Sequence, residues 1–501
     1  MFITPMLQID LNKIWEQFIY HPKEPLLFSS GLFIFLFTGF MCVYFLVHKH
    51  HRAKTTFVTL FSLYFYYKSS GIYFILLIIS AVVDYSLANA IFRADSKSRK
   101  KLILVLSLAL NLGLLAYFKY TNFFYSIICD ITAQSFSPLS IFLPVGVSFF
   151  TFQSLSYTID IYRGKLKPVK SILDYAFFVT FFPQLVAGPI VRAADFIPQI
   201  FKPLKVTDAM IGRGLFLIAC GVIKKTVIAD FISSNFVDRI FDHPTLYTGL
   251  ENLFGVYGYA LQIYCDFSGY SDMAIGIALL TGFHFNMNFD SPYQSKSIIE
   301  FWRRWHISLS TWLKDYLYIS LGGNRKGKIR TYLNLFITML LGGLWHGAGF
   351  RFVIWGGMHG IALGINKLYR EIFPVKTEIK QPVRQFFITA FSIFITFHFV
   401  CFCWIFFRAA DMTIAGQVIR QILFHFTPQI FLEFINGYKA VLMMMLFGYI
   451  LHFIPKSFEL RAELGVTNLP LILKVIFMIL VIFLVVQFKS SEIQPFIYFQ
   501  F

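Results

Sequence analysis

The sequence predicts an all-α, polytopic membrane protein of about 11–13 hydrophobic helices. Three observations carry this. First, 57% of the 501 residues are apolar and only 14% are charged, against about 45–50% and about 25% in soluble domains. Second, the apolar residues run in long uninterrupted stretches. These suit helices crossing a ~30 Å hydrocarbon layer and lack the short alternating pattern of barrel strands. Third, Lys and Arg outnumber Asp and Glu by 44 to 26, giving a net charge of +18. Much of that excess lies in short loops between the apolar stretches, as in the cytoplasmic loops of membrane proteins. An ordinary soluble domain and a disordered chain are excluded. A nucleic-acid partner is not expected.

The elements follow in order. Residues 1–25 mix Lys13, Lys23, Glu16 and Glu24 and lack the basic start of a cleavable signal. The first apolar run, Leu26–Val47, is 22 residues without a formal charge, about 33 Å as a helix, and reads as a retained span. Further runs lie at about 57–67, 71–92, 102–118, 140–161, 173–188, 209–232, 252–282, 331–366, 386–407, 437–455 and 469–488. Between them the loops 48–56, 93–101, 162–170, 322–330 and 367–385 are basic and read as cytoplasmic. The stretch 230–251 sets Asp230, Asp238, Asp242 and Glu251 against Arg239 and reads as external. Cys42, Cys129, Cys220, Cys265, Cys401 and Cys403 form no CxxC pair and read as small core residues. No metal is expected, including at His48, His50 and His51.

One consequence concerns the run 331–366. Both flanking loops are read as cytoplasmic, so the run must enter and return. Its centre reads Gly342-Gly343-Leu344-Trp345-His346-Gly347-Ala348-Gly349, and glycines permit a sharp bend. A bend at membrane depth is tolerated where protein buries it or it lines a cavity. His346 is therefore expected at a buried or cavity-lining turn.

From Asp266 to His359 the composition changes while hydrophobicity persists. Glu300, Arg303, Arg304, His306, Lys314 and Asp315 crowd together, and ionisable groups in or beside a bilayer read as a functional site facing a cavity. As a helix, this region pairs Glu300 with Arg304 at i,i+4 and puts Trp302 and His306 on one face. Trp305, Leu309 and Trp312 form a stripe, as in an amphipathic helix at the membrane interface. His306 and His346 are the candidates for acid–base work, because a neutral imidazole can take a proton from a hydroxyl at pH 7. His359, His398 and His452 read as core histidines. No GxSxG or HExxH is present. Gly322-x-x-x-x-Gly327-Lys328 fails as a phosphate-binding loop, because Ile329 stands where Ser or Thr must hold Mg²⁺. The cations of that loop either attract the phosphates of a soluble donor or simply fix topology.

These strings resemble the membrane-bound O-acyltransferase (MBOAT) family, in its alginate O-acetyltransferase branch. The matching strings are PVGVSFFTFQSLSY (144–157), FFPQLVAGPIVR (181–192), QIYCDFSGYSDMAIG (262–276), FNMNFDSPY (285–293), FWRRWHISLSTWLKDYLYISLGGNR (301–325), LLGGLWHG (340–347) and the terminal FIYFQF (496–501). The resemblance implies one membrane-embedded domain over 1–501 with a catalytic core at about 140–366. It implies a bundle with a central funnel or tunnel and partial or re-entrant helices, in the bacterial cytoplasmic membrane. It places the active-site histidine at His346 and a supporting one at His306. It implies acetyl-CoA as acyl donor and a polysaccharide acceptor. It also implies an extracytoplasmic acetyltransferase of the SGNH type as partner, with membrane lipid around the bundle. On this basis Arg325, Lys326 and Lys328 are expected to meet the donor. Trp302, Arg304, Trp305, Tyr293, Asp290 and Trp345 are expected to shape the pocket or hold the histidines. Two alternatives stand beside this reading: D-alanyl transfer from a carrier-protein thioester, and a transporter for a polysaccharide or lipid-linked sugar.

Overall fold

The structure is a computed structural model describing residues 10–22, 24–373, 382–488 and 496. Lys23, residues 374–381 of the basic 367–385 stretch, and the terminal FIYFQF string apart from Phe496 lie outside the described residues. Among the described residues all regular structure is helical. The chain falls into two compact units: residues up to 112 with 142–186 and 192–204, and residues 113–141 with 187–191 and 205 onward.

The first unit contains α1 (Gly31–Val47), α2 (His51–Ser70), α3 (Phe74–Arg93), most of α4 (Lys97–Leu115), α5 (Val147–Tyr162) and α6 (Ile172–Thr180). Ser30 caps α1 by accepting from the Phe33 N–H at 3.2 Å. The core here is built of rings. Phe33, Phe40, Phe61 and Phe65 surround Phe182 with centroids 5.1–6.3 Å away. Aromatic pairs at such spacing favour tilted and edge-on packing, which is one use of the chain's 63 Phe. Some of its buried polar groups find partners inside the protein. Asn111 donates to the fully buried Asp84 at 2.7 Å, and Lys54 to the Ile200 carbonyl at 3.1 Å. His51 Nε2 lies 2.7 Å from the Asp174 carboxylate.

The second unit continues α4 through a π-helical turn, Ala116–Tyr120, into the helix Thr121–Ile131. It then runs through α7 (Asp208–Val222), α8 (Gly249–Leu280), α9 (Ile298–Arg304), α10 (Ile307–Trp312), α11 (Lys328–His346), α12 (Phe350–Ile372), α13 (Pro382–Arg408), α14 (Lys439–Phe453), α15 (Lys456–Thr467) and α16 (Leu471–Phe488). The 32-residue α8 starts at a capping box: the Glu251 N–H donates to Thr248 and the Thr248 N–H to the Glu251 carboxylate. Glycines let α7 and α8 approach at backbone distance, since a Cβ on Gly214 would sit 3.0 Å from the Gly276 carbonyl oxygen. The charges of this interface are matched in place. Lys225 meets Asp266 at 2.5 Å and Asp230 at 2.7 Å, and Lys224 meets Asp272 at 2.7 Å. Asp238, also in the acidic 230–251 stretch, pairs with Arg408 at 2.7 Å.

Among the described residues four helical stretches are long and apolar enough to cross a membrane: His51–Arg93, Lys97–Ile131, Pro382–Arg408 and Leu471–Phe488. A fifth is added if Pro428–Gly437 and Lys439–Phe453, bent by 91°, form one span. The remaining apolar runs are shorter, broken, or packed in protein. In α5, for example, Gln153 and Ser154 are fully buried. A helix surrounded by protein can keep polar groups that lipid would reject.

Candidate active site

The run 331–366 does turn back. α11 ends at His346, the chain turns over Gly347–Gly349, and α12 returns. The two helices touch along their backbones. A Cβ on Gly343 would collide with the Phe352 carbonyl, and one on Gly347 would fall inside the Phe352 ring. At the far, open end Lys328 and Glu371 meet at 3.2 Å across the two helices. His346 is 3% exposed. Its ring is walled by Trp345 at 5.0 Å, Trp355 at 5.0 Å and Phe407 at 5.3 Å, all edge-on.

His306 lies on a break between α9 and α10. Its backbone is left-handed (φ 44°, ψ 55°), a conformation that costs a non-glycine residue energy and persists where the surroundings enforce it. Asn288 does the enforcing. Its carbonyl accepts from the Ile307 N–H at 2.9 Å. Its side-chain Oδ1 accepts from the Ser308 N–H at 3.1 Å and the Ser308 hydroxyl at 2.9 Å. The same oxygen lies 3.3 Å from His306 Nδ1. An amide oxygen can only accept, so this contact puts the proton on Nδ1 and leaves Nε2 with its lone pair. Among the described residues Nε2 has no hydrogen-bond partner, although the side chain is fully buried. The His306 ring stands edge-on to Phe267 at 4.6 Å. The Trp345 ring packs near both histidines, 6.2 Å from His306 and 5.0 Å from His346.

The other expected site residues divide into groups. Trp302, Trp305, Tyr293 and Trp345 are all buried. Trp302 donates through Nε1 to His359 Nδ1 at 3.3 Å. Trp305 packs against Phe289 at 5.1 Å and Trp404 at 5.0 Å. Tyr293 donates to the Ala260 carbonyl at 2.6 Å. Arg304 pairs with Glu300 at 2.8 Å, as their spacing predicts, and donates to the Asp290 carbonyl at 3.2 Å. The Asp290 carboxylate instead turns outward to Lys456 at 2.7 Å. Arg325, Lys326 and Lys328 are exposed at the start of α11, 18 or more residues from His346 and so about 27 Å away along the helix axis.

Two expectations for 300–318 need correction. Trp302 and His306 do not share a helical face, because the left-handed turn at His306 interrupts the helix between them. Trp305, Leu309 and Trp312 are not a stripe at headgroup depth. They are 1%, 1% and 6% exposed, packed inside the protein.

Beside these helices lies a cleft of about 520 Å³. Trp302, Leu313 and Met339 form part of its apolar wall, and Arg303, Lys314 and Lys367 supply cations. Met339 precedes His346 by seven residues on α11, about 10 Å along the axis. The cleft thus lies between the basic loop and the buried histidines.

Three residues that the spacing arguments pass over belong to this neighbourhood. Asn288 sits inside the quoted string FNMNFDSPY, where a polar residue in an apolar setting was the available signal. His359 is fully buried and 4.8 Å from the Trp355 ring that also touches His346. Lys119 lies far upstream, and its Nζ donates to the carbonyls of Trp345 and His346.

Two buried histidines thus lie in an apolar helical bundle, His306 at a left-handed break and His346 at the turn of a protein-packed hairpin. The chain belongs to the membrane-bound O-acyltransferase (MBOAT) family, whose profile matches residues 17–407. It is therefore a multi-pass membrane acyltransferase. It is 41% identical over 406 residues to the probable alginate O-acetylase AlgI of Pseudomonas aeruginosa, covering 78% of this chain and 74% of that one. It is 39% identical over 430 residues to the peptidoglycan O-acetyltransferase of Helicobacter pylori, covering 79% of each. The teichoic acid D-alanyltransferase of Bacillus subtilis is more distant, at 29% over 269 residues, covering 52% of this chain and 67% of that one.

Proposed function

We propose that this protein takes an acetyl group from cytoplasmic acetyl-CoA and passes it across the bacterial inner membrane for O-acetylation of a cell-surface or exported polysaccharide. His346 is the general base. Its imidazole takes the proton of an acceptor hydroxyl as the oxygen attacks the thioester carbonyl. The new C–O bond forms, the C–S bond breaks, and the proton passes to the departing thiolate. His306 positions the acceptor or relays the proton. Trp302, Trp305, Trp345 and Tyr293 wall the pocket, while Arg304 and Asp290 brace the segment that carries His306.

The observation that carries this reading is His346 buried in an aromatic box at the turn of a hairpin, in a chain of an acyltransferase family whose relatives include O-acetylating enzymes. Arg325, Lys326 and Lys328 draw the phosphates of the donor by charge. The cleft of Arg303, Lys314 and Lys367 then carries its thioester arm inward. An extracytoplasmic SGNH-type acetyltransferase completes delivery to the polymer.

The test is acetyl transfer by the purified protein in lipid nanodiscs, supplied with labelled acetyl-CoA and an oligosaccharide acceptor. Wild type is expected to release free thiol and label the acceptor, and His346→Ala to do neither. Thiol release only from an aminoacylated carrier protein would transfer the reading to D-alanylation. Sugar movement without thioester consumption would make the protein a transporter. A second reading has its own observation: the unpartnered, buried Nε2 of His306 makes that residue the base. His306→Ala would then abolish the thiol release that His346→Ala only slows.

A further inference from the structure

We infer that Lys119 and Tyr120 are positioning residues for His346, acting by clamping the end of the helix that carries it. This rests on the acyltransfer reading above. The last carbonyls of any helix have no partner within it. Commonly a left-handed residue after the helix folds back to bond them. α11 has no such closure: Gly347 is extended (φ −164°, ψ 152°). Its terminal carbonyls are taken by two side chains of the π-helical turn Ala116–Tyr120. Lys119 Nζ donates to the Trp345 carbonyl at 2.7 Å and the His346 carbonyl at 2.9 Å. The Tyr120 hydroxyl donates to the Leu344 carbonyl at 2.8 Å. Three consecutive backbone oxygens, ending at the proposed base itself, are thus held from one turn.

The chemistry of the clamp suits its place. A cation at a helix C-terminus complements the negative end of the helix dipole. Lys119 Nζ also lies 5.9 Å from the centroid of the Trp345 ring, which is 6.2 Å from His306 and 5.0 Å from His346. π-helical turns are rare and frequent at functional sites. Here the turn brings residues 119 and 120 to adjacent carbonyls of one helix end. The imidazole hangs from a backbone fixed at its own carbonyl, and its ring is fixed by Trp345, Trp355 and Phe407. Holding the backbone therefore holds the reacting nitrogen.

The experiment compares wild type, Lys119→Met, Lys119→Arg and Tyr120→Phe in nanodiscs, with kcat and KM for acetyl-CoA read separately. Misplacing a reacting group by about 1 Å can cost about 10²-fold. Lys119→Met is therefore expected to lower kcat by about 10- to 100-fold with KM changed less than about 2-fold. Lys119→Arg, which keeps charge and donors for both carbonyls, is expected to restore most of kcat. Tyr120→Phe is expected to lower kcat by about 3- to 10-fold. Wild-type kcat in Lys119→Met overturns the inference. So does a loss carried by KM, or Lys119→Arg no better than Lys119→Met. If Lys119→Met does not give folded protein, Tyr120→Phe decides, and wild-type kcat there overturns the clamp. Wild type that is inactive on acetyl-CoA but active on another thioester refutes the donor, not the clamp, and the same series is then read with that donor.

Discussion

The two ends of the α11–α12 hairpin are made of the same two helices and share almost nothing else. At the closed end His346 is 3% exposed and sits among Trp345, Trp355 and Phe407. At the open end Lys328 is 81% exposed on its side chain, and Arg325 and Lys326 are exposed beside it. Polar groups at the closed end are pinned by short hydrogen bonds. Charges at the open end are wet and loosely paired. Under the proposed function the difference separates two physical tasks. Proton transfer needs fixed geometry in a water-poor place, where misplacement is costly. Capturing an anionic donor needs only a field, which acts at a distance and which salt screens.

Mutations can break this contrast, and their expected effects fall from the closed end outward. His346→Ala should remove about 10²- to 10⁴-fold of the transfer rate while the protein still inserts and purifies. A variant with wild-type turnover would dissolve the special status of the closed end. Asn288→Ala frees the 306–308 turn, and about 10- to 100-fold of kcat should go with it. Asn288→Asp, which retains an acceptor at the same place, should lose less, so equal losses in a side-by-side turnover assay would count against the turn. Replacing Arg325, Lys326 and Lys328 together by Gln should raise the donor KM by about 3- to 10-fold and leave kcat in place. The wild-type advantage should shrink as salt is raised toward about 1 M, where screening acts within about 3 Å. A drop in kcat instead would mean that the open end takes part in chemistry. Glu371→Ala should matter least, leaving turnover and the thermal unfolding midpoint close to wild type, because its ion pairs with Lys328 and Lys367 are open to solvent.

The hairpin was legible in the sequence because two basic loops demand the same side of a membrane and a glycine-rich string lies midway between them. The helical class was legible for a similar reason, since long apolar runs leave few options. His306 was legible as an ionisable group in an apolar region but not in its geometry. Helical spacing treats 300–318 as continuous, whereas hydrogen bonds from Asn288, some 18–20 residues earlier, force a left-handed turn. Lys119 was not legible at all. Its partners are backbone carbonyls 226 and 227 residues away, and a bond to a carbonyl imposes no residue type on the partner. Asp290 and Arg304 were legible as charged residues of the matched strings but not in their partners: their charges are directed to Lys456 and Glu300.

If, as proposed, His346 is the base, the aromatic walls around it have a consequence beyond orientation. Water and a sugar hydroxyl are rival nucleophiles for a thioester, and water outnumbers any acceptor by a wide margin. A base that activates one equally activates the other wherever both can reach it. Trp345, Trp355 and Phe407 leave the imidazole almost no edge open to solvent. A hydroxyl can reach it only as part of a molecule that fits the pocket. Selectivity against hydrolysis then rests on large rings rather than on any group that recognises the sugar. Thinning one wall, as in Phe407→Ala, should show itself first as wasted donor: thiol released without acetylated product.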